Sequence, residues 1–173
     1  MNSLLWFRTM ILSMTYRLSV YYLVLGVLFA YILSSCAGTK VSREQKADIV
    51  VQKARSYMGT PYKWGGTTVM GMDCSGLLMR SFESVDIYIP RTAKEQSKLG
   101  RKVGVYELKK GDLVFFSAKK GKHKVTHAGL VTRVAGKDKI IIIHASSSRG
   151  VMEVNLMNDY YRKIFVKARR IKF

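Results

Sequence analysis

Residues 71–80, GMDCSGLLMR, place one of the two cysteines of the chain at the start of a predicted helix. Asp73 is a residue type that caps helices, and apolar residues follow it at helical spacing, so Cys74 falls in the first turn. The unpaired N–H groups and the positive end of the helix dipole favour a thiolate there. The pattern indicates either a reactive nucleophile or a small buried apolar residue, which is what most free cysteines are.

An amphipathic helix is predicted upstream, from residue 42 onward. Ser42 and Gln45 form a capping box, and Gly59 with Pro61 ends the helical pattern. The apolar stripe at helical spacing consists of Ala47, Val50, Val51, Ala54 and Met58. Downstream, a second capping box of Thr92 and Glu95 predicts a short helix that ends at Gly100.

After Gly100 the pattern changes to short β-branched or aromatic runs separated by turn-like sequences such as KKGD and AGKD. Helices therefore come first and an antiparallel sheet second, which predicts the α+β class. The predicted strands are residues 113–116, 125–134, 139–146, 151–156 and 163–173.

The N-terminus carries an export pattern. Arg8 and Arg17 precede an uncharged apolar run over residues 18–33, and LSSC at residues 33–36 follows it. LSSC resembles the lipobox of bacterial lipoproteins, in which the cysteine is diacylated and becomes the mature N-terminus. An uncleaved anchor helix is the alternative, and in both cases the folded part lies outside the cytoplasm, tied to a membrane.

This pattern predicts the domain organisation and the state of the cysteines. We expect a lipoprotein signal peptide over residues 1–35, a lipidated N-terminus and tether over 36–41, and one folded domain over 42–173. We expect the lipid anchor to hold the protein at the outer membrane or at an extracytoplasmic membrane face. A lipidated Cys36 has no thiol for a disulfide, so Cys74 would be a lone thiol in an exported domain.

The exported part is strongly basic. Beyond residue 36 there are 28 lysines and arginines against 11 acidic residues, a net charge near +17. Behind an export pattern, anionic polymers and acidic lipids of the envelope are better partners for this charge than nucleic acid. A merely solubilising basic surface is the alternative.

Two of the three histidines complete a candidate catalytic set with Cys74. His127 and His144 lie in consecutive predicted strands that should pair, so both imidazoles can reach one rim of the sheet. A thiol, an imidazole base and a polar group that orients the base suffice for acyl transfer. His123 falls in a basic hairpin tip and is expected to be solvated.

Other roles for these residues remain open on spacing alone. Each histidine can be an ordinary partly buried residue. Cys74, His127 and His144 can together ligate zinc, although no close ligand pair such as CxxC exists. Serine chemistry at Ser75 or at residues 146–148 lacks a G-x-S-x-G motif.

Six segments in this order resemble the NlpC/P60 family of papain-like bacterial cell-wall cysteine peptidases. The resemblance covers nearly all of residues 45–170, and it implies a papain-like α+β fold with N-terminal helices packed on a small antiparallel sheet. The segments are PYKWGG, DCSGLLMRSF, IPRTAKEQ, KKGDLVFF, VTHAGLVT and IHASSSRGV.

The resemblance also implies residue roles. Cys74 would be the nucleophile, His127 the base and His144 the third polar residue. Arg91 is a candidate cation for substrate carboxylates. The residues expected to help bind the substrate are Tyr62, Asp73, Ser75 and Arg91.

The implied reaction is hydrolysis of an amide in the peptidoglycan stem peptide, typically between D-γ-glutamyl and a diamino acid, without metal or organic cofactor. We expect a monomer whose lipid anchor and basic surface replace separate wall-binding modules. Two rival functions remain: an amidase or acyltransferase that uses the same triad, and a catalytically silent wall-binding lipoprotein.

Overall fold

The structure is a computed structural model, and it describes residues 17, 20–27, 41–118 and 124–173. The chain forms two units, Met1–Lys40 and Val41–Phe173. In the first unit, residues 17 and 20–27 are helical, and Cys36 lies outside the described residues, as does His123 in the second unit. Among the described residues, no helix combines the length and apolar character needed to cross a bilayer.

The second unit opens with helix α1, Arg43–Arg55, where the capping box predicted from the sequence is present. The Ser42 hydroxyl accepts a hydrogen bond from the Gln45 N–H, and the Gln45 side chain accepts one from the Ser42 N–H. Four of the five predicted core residues of this helix are buried. The helix ends at Arg55, before Met58, and Met58 is half exposed. The prediction that Met58 belongs to the buried face of this helix was wrong.

Helix α2, Cys74–Glu83, is the central helix of the unit. Its N-cap is Asp73, whose carboxylate accepts a 2.7 Å hydrogen bond from the Gly76 N–H. Its apolar face is fully buried against α1 and the sheet, with Leu77, Leu78 and Phe82 at zero exposure. The predicted cap and the predicted face of this helix are both confirmed.

Eight strands are described in this unit. They are β1 (Thr67–Thr68), β2 (Gly71–Met72), β3 (Arg101–Val103), β4 (Leu113–Phe116), β5 (His127–Val134), β6 (Ile140–Ser146), β7 (Gly150–Asn155) and β8 (Phe165–Arg170). Strands β1 and β2 form a hairpin before α2, and the other six form one antiparallel sheet in the order β3-β8-β4-β5-β6-β7. The remaining helices are α3 (Ala93–Gln96), a 3₁₀ turn (Val105–Glu107) and α4 (Asp159–Ile164).

The sheet separates two apolar cores because successive side chains of a strand point to opposite faces. On one face, Leu130 of β5 and Ile143 of β6 pack with α1 and α2. On the other face, Val131 of β5 and Ile142 of β6 pack with Tyr161 of α4. The fold is therefore α+β with a papain-like order of helices and sheet, as the sequence predicted.

A buried carboxylate joins the first and last elements of this unit. The side chain of Asp112 has zero exposure, and it accepts hydrogen bonds from Arg170 of β8 at 2.6 and 2.7 Å. Arg43 at the start of α1 donates to the same carboxylate at 3.2 Å. Because a buried carboxylate needs such partners, this cluster fixes α1 against the sheet that carries the histidines.

Candidate active site

Cys74 lies at the first position of α2 and is 7% exposed. The backbone N–H of Ala128, the second residue of β5, lies close enough to its sulfur to lower the pKa of the thiol. The thiol is therefore held beside the start of β5, where His127 lies. The residue packs in the core and also lines a surface cleft, so its position is compatible with both interpretations of this cysteine.

Gly76 allows the first turn of α2 to lie this close to the preceding loop. A Cβ atom on Gly76 would lie 2.4 Å from the carbonyl oxygen of Gly66, which is closer than any side chain permits. The same carbonyl oxygen accepts a 3.1 Å hydrogen bond from the Asp73 N–H. The glycine of DCSG thus sets the position of the thiol.

The two histidines form a hydrogen-bonded pair. His127 Nε2 lies 2.8 Å from His144 Nδ1, and the two rings are perpendicular. His144 is 4% exposed, and its Nε2 lies 3.0 Å from the hydroxyl of Tyr161. Since Nε2 of His127 is engaged by His144, Nδ1 is the ring atom with which His127 can accept a proton.

Burial keeps the thiol and both imidazoles neutral at rest. It raises the pKa of Cys74 to about 11, although the N–H groups of Ala128, Ser75 and Cys74 itself act in the opposite direction. It lowers the pKa of His127 to about 4 and that of His144 to about 3, where the positive charges of His127 and Arg149 lower the pKa further. The prediction that the helix N-terminus makes Cys74 a thiolate is wrong for the substrate-free site, because desolvation outweighs the donors.

Asp73, Ser75 and Arg91 form one polar cluster beside the thiol. Arg91 donates to both carboxylate oxygens of Asp73, at 2.6 and 3.0 Å, and to the Ser75 hydroxyl at 2.9 Å. Burial alone would raise the pKa of Asp73, but the hydrogen bonds from Arg91, Gly76 and Ser75 hold that pKa below its ordinary value. The charge of Arg91, considered above for substrate carboxylates, is thus already paired within the protein.

The cleft next to Cys74 has a volume of about 600 Å³. Its lining includes Tyr62, Trp64, Lys94 and Thr126, and Trp64 is 85% exposed. The pKa of Tyr62 is raised by burial and by the neighbouring Cys74 and Asp73, so its hydroxyl stays protonated. A larger cavity of about 790 Å³ near Arg43 and Phe173 shares no lining residue with this cleft.

The structure places Tyr62, Asp73, Ser75 and Arg91 beside Cys74 along the cleft, and it pairs His127 with His144 at the start of β5, next to Ala128. Sequence reasoning missed Lys94 and Tyr161. The predicted lipidation site Cys36 lies outside the described residues. Within the described residues, no group of three His, Cys, Asp or Glu side chains is placed to hold a metal ion.

A thiol at a helix start, set against a histidine pair at the rim of an antiparallel sheet, defines the class of papain-like cysteine peptidases. A profile described as the NlpC/P60 family matches residues 59–170. This chain belongs to the NlpC/P60 family.

Three curated relatives are similar over most of the folded unit. The probable endopeptidase NlpC of Escherichia coli K12 is 40% identical over 118 residues, which are 68% of this chain and 73% of that protein. The gamma-D-glutamyl-L-lysine dipeptidyl-peptidase of Bacillus subtilis is 34% identical over 72% of this chain and 40% of its own length. The murein DD-endopeptidase/LD-carboxypeptidase MepS of E. coli K12 is 32% identical over 70% of this chain and 61% of its own length.

Two solved structures show the same fold. An NlpC/P60 family protein from Bacillus cereus superposes with a TM-score of 0.65 at 34% identity, over 72% of this chain and 39% of that one. RipD from Mycobacterium tuberculosis superposes with a TM-score of 0.59 at 21% identity, over 74% of this chain and 98% of that one. RipD is described as a non-catalytic domain adapted to peptidoglycan binding, so the fold alone does not decide between hydrolysis and binding.

The pKa values of the histidine pair predict how stability depends on pH. In the unfolded chain both rings titrate near 6.5, whereas in the folded protein they titrate near 4 and 3. As the pH falls below 6.5, the unfolded chain binds protons that the folded protein does not, so the free energy of unfolding falls. Between pH 7 and pH 5 we expect a loss of about 1 to 2 kcal/mol for each ring.

Urea unfolding followed by circular dichroism at the two pH values measures this loss. The His144→Asn variant has one titrating ring fewer, so its stability should change by about half as much as that of the wild type. Equal changes in the variant and the wild type would show that His144 does not titrate as the structure indicates.

Proposed function

We propose that this protein is a cysteine endopeptidase of the bacterial cell envelope that hydrolyses amide bonds in the stem peptides of peptidoglycan. Cys74 is the nucleophile, His127 the general base and acid, and His144 the residue that orients His127. The observation that carries this proposal is the position of the thiol beside the start of β5, together with the 2.8 Å contact between His127 and His144. The names of the three curated relatives support an envelope substrate.

The neutral resting state determines the order of the chemical steps. The thiol attacks the scissile carbonyl while His127 Nδ1 accepts its proton, so a carbon–sulfur bond forms as the imidazolium appears. The backbone N–H of Cys74, at the start of α2, donates to the developing oxyanion. The imidazolium then protonates the leaving amine, and a water molecule, deprotonated by His127, hydrolyses the thioester and restores the thiol.

The polar cluster around Asp73 supports a role in substrate binding. Asp73 remains ionised, and with Tyr62 and Ser75 it presents oxygen atoms at the floor of the cleft beside the thiol. Arg91 keeps this carboxylate in place by donating to both of its oxygen atoms. Such a floor suits the amino-terminal part of a stem peptide, which carries amide N–H groups and can carry an ammonium group.

The bond that we favour joins D-γ-glutamyl to a diamino acid, as the name of the B. subtilis relative describes for that protein. A glutamyl residue linked through its γ-carboxyl group keeps a free α-carboxylate next to the scissile bond. Lys94 lines the cleft, is exposed, and has no carboxylate partner among residues 41–118 and 124–173. It is therefore the cation available to this α-carboxylate, since Arg91 is paired with Asp73.

Attachment to a membrane through Cys36 completes the proposal. The apolar run over residues 18–33 and the LSSC motif that follows it support an exported lipoprotein. A lipid anchor and a basic surface would hold the catalytic domain near the anionic wall polymers on which it acts. This places the protein at the outer membrane or at an extracytoplasmic membrane face.

The proposed activity is tested with Cys74→Ser. Incubating purified peptidoglycan with wild-type protein should release fragments that mass spectrometry identifies as products of cleavage at the γ-glutamyl bond. The serine variant should lose at least a hundredfold in kcat/KM with little change in melting temperature, because its hydroxyl is a much weaker nucleophile of similar size. Full activity in the variant would refute cysteine chemistry, and wild-type binding without any cleavage would favour a wall-binding protein.

Lys94→Gln tests the proposed contact with the α-carboxylate. Wild-type protein should cleave a stem peptide with a free α-carboxylate on D-glutamate about threefold better than its α-amidated form, which corresponds to an exposed ion pair. The variant should cleave the two peptides equally well, as measured by kcat/KM. Lys98→Gln is the matched control, because Lys98 is exposed nearby but does not line the cleft; the same loss of preference in both variants would exclude a specific role for Lys94.

Cys36→Ala tests the membrane anchor. The variant should incorporate no labelled fatty acid in growing cells and should remain unprocessed or appear in the soluble fraction. Cys74→Ala, which removes the other thiol, is the control and should be labelled normally. Undiminished labelling of Cys36→Ala would remove the lipoprotein assignment without affecting the proposed catalytic role.

A further inference from the structure

Tyr161 makes a buried polar contact that the proposed reaction has not yet used. It lies on α4, between β7 and β8, and is 8% exposed. Its ring packs edge-on against Phe116 at 5.9 Å and against His144 at 5.4 Å, so a phenylalanine would fill the same space. The hydroxyl, however, lies 3.0 Å from His144 Nε2, and packing alone does not require this contact.

Two arrangements of hydrogen atoms satisfy these contacts. In the first, His127 Nε2–H donates to His144 Nδ1, and His144 Nε2–H donates to the Tyr161 oxygen, whose own hydrogen points away from His144. In the second, the Tyr161 hydroxyl donates to His144 Nε2, and His144 Nδ1–H donates to His127 Nε2. A neutral imidazole carries one proton, so the tautomer of His144 determines the tautomer of His127.

Only the first arrangement leaves His127 able to act as a base. There the proton of His127 is on Nε2, and Nδ1 is free to accept the proton of Cys74. In the second arrangement Nδ1 of His127 already carries a proton. The Nδ1–H of His127 and the S–H of Cys74 are then both donors, and the thiol has no base. The reactivity of Cys74 therefore depends on which tautomer His144 adopts.

We propose that Tyr161 is a positioning residue whose hydroxyl accepts a hydrogen bond from His144 Nε2–H and thereby holds the histidine pair in the arrangement that can deprotonate Cys74. This inference rests on the proposed function, because it assumes that Cys74 and His127 perform the reaction. The relay thus has four members, and its last member lies on a helix outside the sheet.

The chemistry of the buried nitrogen supports this assignment. Without the Tyr161 oxygen, His144 Nε2–H would be a buried donor without a partner, which is costly, whereas a bare Nε2 is tolerated more easily. Removal of the hydroxyl should therefore shift His144 towards the unproductive tautomer. When His127 becomes an imidazolium, the bond from its Nε2–H to His144 Nδ1 becomes charge-assisted, which stabilises that intermediate only if Nδ1 is bare.

The charged and titratable groups around the relay are consistent with a neutral His144. Asp73 lies at the Cys74 end, where its charge favours protonation of His127. Arg149 and Tyr160 lie at the other end, and the positive charge of Arg149 opposes protonation of His144. Since His144 stays uncharged, its contact with Tyr161 can fix its tautomer and thereby the tautomer of His127, and His144 takes up no proton itself.

The test is a double-mutant cycle with Tyr161→Phe and His144→Asn, measured as kcat and KM of the purified full chain on a defined stem peptide. Tyr161→Phe alone should lower kcat about tenfold and leave KM unchanged. In the His144→Asn background, Tyr161→Phe should change kcat less than twofold, because the asparagine side chain has no tautomer to be selected. A purely structural role of Tyr161 would give the same loss in both backgrounds, and this outcome would overturn the inference.

Nitrogen-15 NMR of histidine-labelled full chain gives an answer that does not depend on turnover. At pH 7 the wild type should show His144 protonated on Nε2, and Tyr161→Phe should increase the form protonated on Nδ1. A wild-type His144 protonated on Nδ1 would overturn the inference. The Cys74→Ser variant separates the two proposals: activity that survives it refutes the proposed function, whereas its inactivity together with a wild-type kcat in Tyr161→Phe refutes only the role of Tyr161.

Discussion

The position of Cys74 depends on the carboxylate of Asp73. Four groups donate to it: the N–H of Gly76 in α2, the N–H of Gly65 in the preceding loop, the hydroxyl of Ser75, and the guanidinium of Arg91. These groups come from three segments of the chain: the loop before β1, the first turn of α2 and the segment before α3. A buried carboxylate that lost them would be left uncompensated, so its ionisation and the local fold depend on each other. Cys74 follows Asp73 directly, and its place at the cleft is a consequence of this cap.

The proposed catalytic groups come from both sides of one sheet. Cys74 lies in the core shared by the helices and the sheet, whereas His144 shares its face of β6 with Ile140 and Ile142, in the other core. His127 begins β5, so its ring lies at the end of the sheet and can face both cores. A side chain at the end of a strand can contact groups on both faces of the sheet, and this suits His127, the proposed base, at the first position of β5.

Local sequence patterns predicted the elements that depend on local interactions. The caps at Ser42 and Asp73, the buried face of α2 and the strand at Leu113–Phe116 follow from side-chain types a few residues apart. Strands of two or three residues, such as β1, β2 and β3, are too short to show a period. Helix α4 was missed because the strand predicted over residues 163–173 extends into its last turn, whereas strand β8 begins only at Phe165.

The electrostatics of the site could not be predicted in the same way. The sign of the pKa shift of Cys74 depends on how much of the protein covers it, and the pairing of Arg91 with Asp73 joins residues 18 positions apart. The contact of His144 with Tyr161 joins residues 17 positions apart and required α4 to be known. Each of these depends on tertiary packing, so the sequence could single out the residues of the candidate site but could not predict their charges.

The burial of Cys74 also bears on the survival of the enzyme. Peroxide and disulfide reagents attack the thiolate form of cysteine, and sulfinic and sulfonic acids formed from it are not readily reduced. A thiol whose pKa is raised to about 11 is almost entirely protonated at neutral pH, so its oxidation is slow. In this arrangement the nucleophile becomes reactive only when a base removes its proton during attack on a bound substrate. We therefore expect resistance to oxidative inactivation as a consequence of the same desolvation that disfavours a resting thiolate.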